Sequence, residues 1–251
     1  MIFLNASEHI FNLSFSETLM LRNYARINNY LFCSMIGGSE SIRDIQEAKN
    51  LFTNSFEFSL IESEFALKKI ITALEKVFFD NYNFLSNSYL FINISTPDGM
   101  ELVRNIDCFK FPDFLNRDLI VFNFDRRSIA KNMKNTKGYN FEYSEYEKEF
   151  NPVIDSLINK LKKNKLNSCI SGDIQKRSLI GFSRNYLLPK FIKTGLFTLS
   201  IEENNKINFE EIFFYQNLEA KLLEVLKNTL FYRINYVVER LKHLKNYIKY
   251  N

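Results

Sequence analysis

The residues best placed for chemistry are the charged and small groups at which apolar runs end. Gly37-Gly38 follows the run Tyr30 to Ile36, with Glu40, Arg43 and Asp44 just beyond. Glu62 closes the run Phe56 to Ile61, Ser95 follows Leu90 to Ile94, and Asp125-Arg126-Arg127 follows Asp118 to Phe124. In alternating strand–helix units the carboxyl ends of strands carry the chemistry. Carboxylates there do acid–base work, and a guanidinium grips a carboxylate as a fork. Each residue also has a structural reading. Glu40, Arg43 and Asp44 suit a helix start with a local ion pair and acid near the positive end of its dipole. Glu62 suits a cap or an ion pair as well as a site. Asp125 with its two arginines reads as a surface ion-pair cluster, and Gly37-Gly38 and Gly172 as tight turns.

Other chemistries are poorly supported. His9 and His243 have no His or Cys partner at ligand spacing, and no Ser or Cys sits in an elbow motif, so triad-type catalysis has no basis. Cys33, Cys108 and Cys169 are odd in number and far apart, which reads as reduced thiols in a cytoplasmic protein. Net charge is +4. The basic clusters, Lys160 to Lys165 and the tail with Arg240, Lys242, Lys245 and Lys249, suit solvated helix faces, so no nucleic-acid partner is expected. No run approaches the ~18 apolar residues of a membrane span. Met1 to Phe15 has no basic leader, so no signal peptide is expected. With only 7 Gly, few positions let backbone approach a phosphate.

Positioning the candidates takes strands alternating with helices, an α/β pattern. Ile10 to Phe15 alternates like a short strand, and Leu19 to Asn28 reads helical. Tyr30 to Ile36 is a strand. Ser39 caps a helix with Ile42, Ile45 and Ala48 on one face. Phe56 to Ile61 is a strand, and Ser63 opens a helix reaching Phe79. Tyr89 to Ile94 is the continuous apolar run of a strand buried on both faces. Pro97 suits a first helical turn, and Asp118 to Phe124 is another strand. Arg126 to Glu149, long and polar, reads as a loop with a lid-like insertion. Pro152 to Lys163 is helical, Leu166 to Ile170 a strand and Ile174 to Leu187 helical. Phe191 to Ile201 holds one strand, in its second half. Asn208 to Tyr250 is a long helical segment, its aromatics suited to packing or a subunit contact. A closed barrel wants eight strands and these are seven; the eighth is expected at Asp107 to Phe111 or in the first residues. No linker rich in Gly, Pro or Ser divides the chain, so a single domain over 1–251 is expected.

The segment Ile36-Gly37-Gly38-Ser39-Glu40-Ser41-Ile42-Arg43-Asp44-Ile45-Gln46-Glu47-Ala48-Lys49 resembles part of the citrate lyase β-subunit / HpcH–HpaI aldolase family. Ile61-Glu62-Ser63-Glu64-Phe65-Ala66-Leu67-Lys68-Lys69 is similar to a run that follows it in a subset of that family. Phe91 to Thr96, Asp118 to Ser128 and Ser168 to Ile174 resemble later strand ends, in order, over most of the chain.

The resemblance implies a TIM-type (β/α)8 barrel, with the long helical segment at its C-terminal end. It further implies a protein that binds Mg²⁺ and a small carboxylate or oxoacid and makes or breaks carbon–carbon bonds beside a carboxylate. On it, Glu62 and Arg126 are catalytic, Asp125 is a metal ligand, and Gly37, Gly38, Glu40, Arg43, Ser95 and Arg127 bind substrate. Two departures stand out. Ser95 is found where the family has Glu, and Asn123-Phe124-Asp125-Arg126-Arg127 where it has Gly-Arg and a second metal-binding Asp. A hydroxyl in place of a carboxylate removes charge, so Mg²⁺ binding is expected to be weakened or lost. Three readings follow. One is a divergent lyase acting on a small oxoacid. Another is a catalytically degenerate barrel serving as partner or scaffold, as a homo-oligomer or beside an active relative. The third is a metal-free enzyme that binds an anion or sugar acid through Arg126 or Arg127.

Overall fold

Eight short strands close on themselves in chain order around a ring. The computed structural model describes residues 1–5, 15–37, 41–51, 53–59, 61–137, 143–172, 187–201, 208 and 210–225. Of these, 15–17, 41, 133–137 and 143–149 are described by backbone alone. The chain forms two compact units, Met1–Phe209 and Glu210–Asn251. The second contains a helix over 210–225, and the first holds the barrel.

The strands are β1 (Ile2–Asn5), β2 (Leu31–Ile36), β3 (Ser55–Phe58), β4 (Tyr89–Ile94), β5 (Ile120–Asp125), β6 (Asn167–Ser171), β7 (Phe191–Lys193) and β8 (Phe197–Ser200). The helices are α1 (Phe15–Ile27), α2 (Ser41–Asn50), α3 (Glu64–Val77), α4 (Tyr82–Ser86), α5 (Pro97–Arg104), α6 (Arg126–Lys137) and α7 (Tyr143–Lys163). β1 to β7 pair in parallel. β8 runs antiparallel to both neighbours, β7 and β1. This is the irregularity in an otherwise TIM-type α/β barrel. The return from β7 takes three residues, Thr194-Gly195-Leu196. Gly195 has φ of 102°, where a side chain would be strained, and Thr194 N–H donates to Phe197 O at 2.7 Å.

The eighth strand is supplied by the first residues, Ile2–Asn5. Asp107 to Phe111 is instead a 3-10 turn, Ile106–Cys108, and extended chain whose Phe109 and Phe111 rings meet edge to face at 4.7 Å. Phe191 to Ile201, read as one strand, makes two. The expected strand at Ile10 to Phe15 lies outside the described residues except for Phe15, which opens α1. The expected helix at Ile174 to Leu187 also lies outside them, Leu187 apart. The supposed loop at 126–149 is largely helical, as α6 and the first turns of α7. Its polarity misled because the helices of a barrel show solvent one whole face. Ile129 at 0 % exposure is the buried side of α6.

The outer core lies between the helices and the outward face of β2 to β6. α3 shows how sequence places such a helix. Leu67, Ile70, Ile71, Leu74 and Val77 recur at helical spacing and are buried. Ser63 caps its start, accepting from Ala66 N–H at 3.2 Å. At its other end Lys49 of α2 donates to Val77 O at 2.9 Å and to Asp80 at 2.8 Å. The hydrogen bond from Lys49 holds the Asp80 carboxyl below its ordinary range. Ser63→Ala is expected to cost about 1 kcal/mol, read as a lower midpoint in urea. An unchanged midpoint would mean that the cap contributes nothing.

Candidate active site

Alternate strand residues point inward, and inside this barrel they form two levels. The lower level is aromatic. The Phe3 ring lies 5.0 Å from Tyr89, 5.1 Å from Phe91 and 5.8 Å from Phe191, edge to face. Cys33, Val121 and Cys169 complete this cluster. Two residues further along the same strands, the inward positions turn polar: Asn5 after Phe3, Asn93 after Phe91, Asn123 after Val121, Lys193 after Phe191. β3 adds Glu57.

β3 and β7 stand on opposite sides of the eight-stranded ring. The Lys193 ammonium nevertheless donates to Glu57 Oε1, a contact that can only cross the interior. Glu57 is 2 % exposed and Lys193 8 %. Asn93 Nδ2 donates to the same Oε1 at 2.7 Å, and Asn123 Nδ2 donates to Asn93 Oδ1 at 2.8 Å. The charge on Glu57 sets the direction of this chain. A carboxylate only accepts, so Asn93 must turn its amide N–H₂ toward it and its oxygen toward Asn123. Asn123 must then donate in turn, which leaves its own Oδ1 buried with no hydrogen-bond partner. Beside this chain Asn5 Nδ2 donates to Thr198 Oγ1 at 2.8 Å and Leu196 O at 3.2 Å, fastening the β1–β8 seam.

The electrostatics follow from the dry surroundings. Burial alone would lower the proton affinity of Lys193. The Glu57 carboxylate, by charge and by hydrogen bond, more than offsets this and holds it above the ordinary lysine value. The group is therefore a fixed ammonium. Burial pushes the Cys33 thiol up, and Glu57 adds to that; burial likewise raises Cys169, with Lys193 only partly opposing. Both stay protonated and are poor nucleophiles.

The described residues singled out by sequence lie beyond this layer, at the strand ends and in the loops and helices that follow. Glu62 is exposed in the β3–α3 loop, just ahead of the cap Ser63. Asp125 ends β5 and caps α6: Oδ1 accepts from Arg127 and Ser128 N–H, both at 3.1 Å, and Oδ2 from Ser128 Oγ at 2.7 Å. Arg126 is buried, its Nη2 3.4 Å from Asn151 Oδ1 on α7, and Arg127 is exposed. Gly37 N–H donates to Asp44 at 2.8 Å, closing a turn. Arg43 pairs with Glu47 at 3.2 Å on an exposed face. The Ser95 carbonyl accepts from Asn132 Nδ2 at 2.8 Å. Gly38 and Glu40 lie outside the described residues. The structure brings Asp125, Arg127 and Gly172 together at the β5 and β6 ends. No hydrogen bond or ion pair among the described residues joins Glu62 to Asp125.

Gly172 has φ of 76°, and a Cβ there would lie 2.5 Å from Asp125 Oδ1. Gly172→Ala is expected to cost at least ~1–2 kcal/mol, from left-handed backbone strain alone, and to push Asp125 off its cap. A urea midpoint equal to wild type would refute the close approach.

A hard divalent cation wants several oxygen ligands, carboxylates foremost. Among the described residues no three acidic, His or Cys groups gather. Both Asp125 oxygens are engaged by their own helix, Ser95 offers only a neutral hydroxyl, and Glu57 already faces an ammonium. These residues do not fit Mg²⁺.

No protein-family model and no curated protein matches the sequence. Solved structures do match by shape. The chain superposes on citrate synthase SbnG with a TM-score of 0.57 at 8% identity, over 90% of this chain and 83% of that one. It superposes on an HpcH/HpaI aldolase/citrate lyase family protein from Burkholderia cenocepacia J2315 with a TM-score of 0.55 at 7% identity, over 89% and 84%. At such identities the likeness establishes the fold.

Proposed function

We propose that the protein is a divergent member of the HpcH/HpaI aldolase/citrate lyase-like group and acts as a carbon–carbon lyase on a small oxoacid. One observation carries the reading. A cation, a carboxylate and two amides are held together in the barrel interior, toward the C-terminal ends of strands β3, β4, β5 and β7. That is the end at which barrels of this class do chemistry. The shared shape with two structures of citrate-forming and aldolase-type proteins supports it.

Such a reaction needs negative charge stabilised as it develops. When a hydroxy-oxoacid is cleaved, the hydroxyl loses its proton, its oxygen becomes a carbonyl, and the electron pair of the broken carbon–carbon bond enters the oxoacid fragment as an enolate. The enolate then takes up a proton. A preorganised cation in a dry site suits that task. The polar layer also argues against a merely degenerate barrel, since a scaffold gains little from an ion pair buried at its centre.

The test is proton exchange. Pyruvate incubated with the protein in heavy water is expected to lose its methyl proton signal faster than without protein, because enolate formation exchanges those protons. No exchange with pyruvate or oxaloacetate, together with no binding of either by calorimetry, would overturn the proposal.

A further inference from the structure

We propose that Lys193 is the resident cation of this site. Its ammonium holds the carboxylate or enolate oxygen of a small 2-oxo or 2-hydroxy acid, the part a divalent metal would otherwise play, while Asn123 Oδ1 accepts a hydroxyl proton from the hydroxy-acid form. The inference rests on the oxoacid reading above and adds the residues that recognise the ligand.

Three observations converge. First, the ammonium has three protons, and among the described residues only Glu57 accepts one of them. Two of its donors therefore have no acceptor among the described residues. Second, Asn123 is 2 % exposed and its Oδ1 has no partner. The hydrogen-bond order that Glu57 imposes fixes this atom as an acceptor, so it calls for a donor such as a hydroxyl. Third, the two groups flank one strand. Lys193 is on β7 and Asn123 on β5, and the β6 residue in register with Asn123 is the small Cys169. Through Cys169 the register sets Asn123 level with Phe191, so Lys193 stands two residues further along β7 on the same inward face.

Glu57 has a second use in this arrangement. It keeps Lys193 charged in a dry interior, where an unpaired ammonium would lose its proton. Lys193 is therefore an electrostatic group and not an imine-forming nucleophile.

The experiment is calorimetric binding of pyruvate and of lactate, first in EDTA and then in excess Mg²⁺, with wild type and two variants. Wild type is expected to bind equally with and without Mg²⁺. The double variant Lys193→Met/Glu57→Gln, checked for folding by thermal melt, should lose roughly 10- to 100-fold in affinity for both acids. Asn123→Leu should lose about tenfold more affinity for lactate than for pyruvate. Borohydride added with pyruvate should leave Lys193 unmodified by mass spectrometry, a readout that needs no variant. Binding that requires Mg²⁺, a double variant that binds like wild type, or a reduced adduct on Lys193 would each overturn the inference while leaving the oxoacid reading standing. Failure of wild type to bind either acid in either condition would defeat both.

Discussion

Replacing Glu57 by alanine is expected to cost about 3–5 kcal/mol of folding stability, because it strands the Lys193 ammonium in the barrel interior. The single loss understates how the pair works. Two charges taken out of water cost several kcal/mol each, and their mutual attraction roughly returns that cost. The double variant Lys193→Met/Glu57→Gln should therefore stay within about 1–2 kcal/mol of wild type. A full urea series on the two single variants and the double would measure the coupling. Equal and additive losses would mean that the two side chains do not meet. A pH scan gives an independent check. The proton affinity of Lys193 is raised on folding, so its contribution is complete below the unfolded lysine pKa and is lost as pH rises through the folded one. Wild type should thus lose stability faster than the double variant above about pH 10.

This centre was legible in the sequence, but only under a different rule from the one that picked the strand-end candidates. Phe56-Glu57-Phe58, Phe91-Ile92-Asn93-Ile94, Val121-Phe122-Asn123-Phe124 and Phe191-Ile192-Lys193 each carry one polar residue inside an apolar strand. Counting in twos from Phe91, Val121 and Phe191 puts Asn93, Asn123 and Lys193 on the inward face, and Glu57 joins them by pointing away from the outward Phe56 and Phe58. Glu and Lys are almost never fully buried without a partner, so their appearance in such runs already predicts a pair across the barrel. Reading the runs as uniformly apolar hid it. The strand-end residues were chosen on firmer-looking grounds, and local geometry claims several of them. Asp125 is taken by the first turn of α6, Gly37 by Asp44, and Arg43 by Glu47. The turn at Gly37 and the ion pair of Arg43 are structural readings the sequence allowed, whereas Asp125, read as a surface ion-pair cluster, is a helix cap. The α/β pattern was visible from alternation, with the runs at 89–94 and 118–124 reading as strands; the barrel was what the resemblance implied. The reversal of β8 was not. Three residues of β7, a three-residue turn and four of β8 are too short for either strand to announce its direction.

The aromatic floor beneath the charged layer makes the second large prediction. Phe91→Ala is expected to cost about 3–5 kcal/mol. The ring is 3 % exposed and touches Phe3 at 5.1 Å and Phe191 at 5.9 Å, so its loss opens a hole that fixed strands cannot close. A Phe3→Ala/Phe91→Ala cycle should show coupling of about 0.5–1.5 kcal/mol from the edge-to-face contact. The consequence reaches the site above. Phe3, Phe91 and Phe191 keep water from the underside of the Lys193–Glu57 pair, and a dry underside is what makes that attraction strong. In a Phe91→Ala background water can enter from below and solvate the stranded ammonium. The penalty of Glu57→Ala should then shrink, to less than about half its wild-type value by this argument. The triple comparison, Glu57→Ala with and without Phe91→Ala, is read from urea midpoints. An undiminished penalty would show that the floor packs the barrel but has no part in setting the charge environment above it.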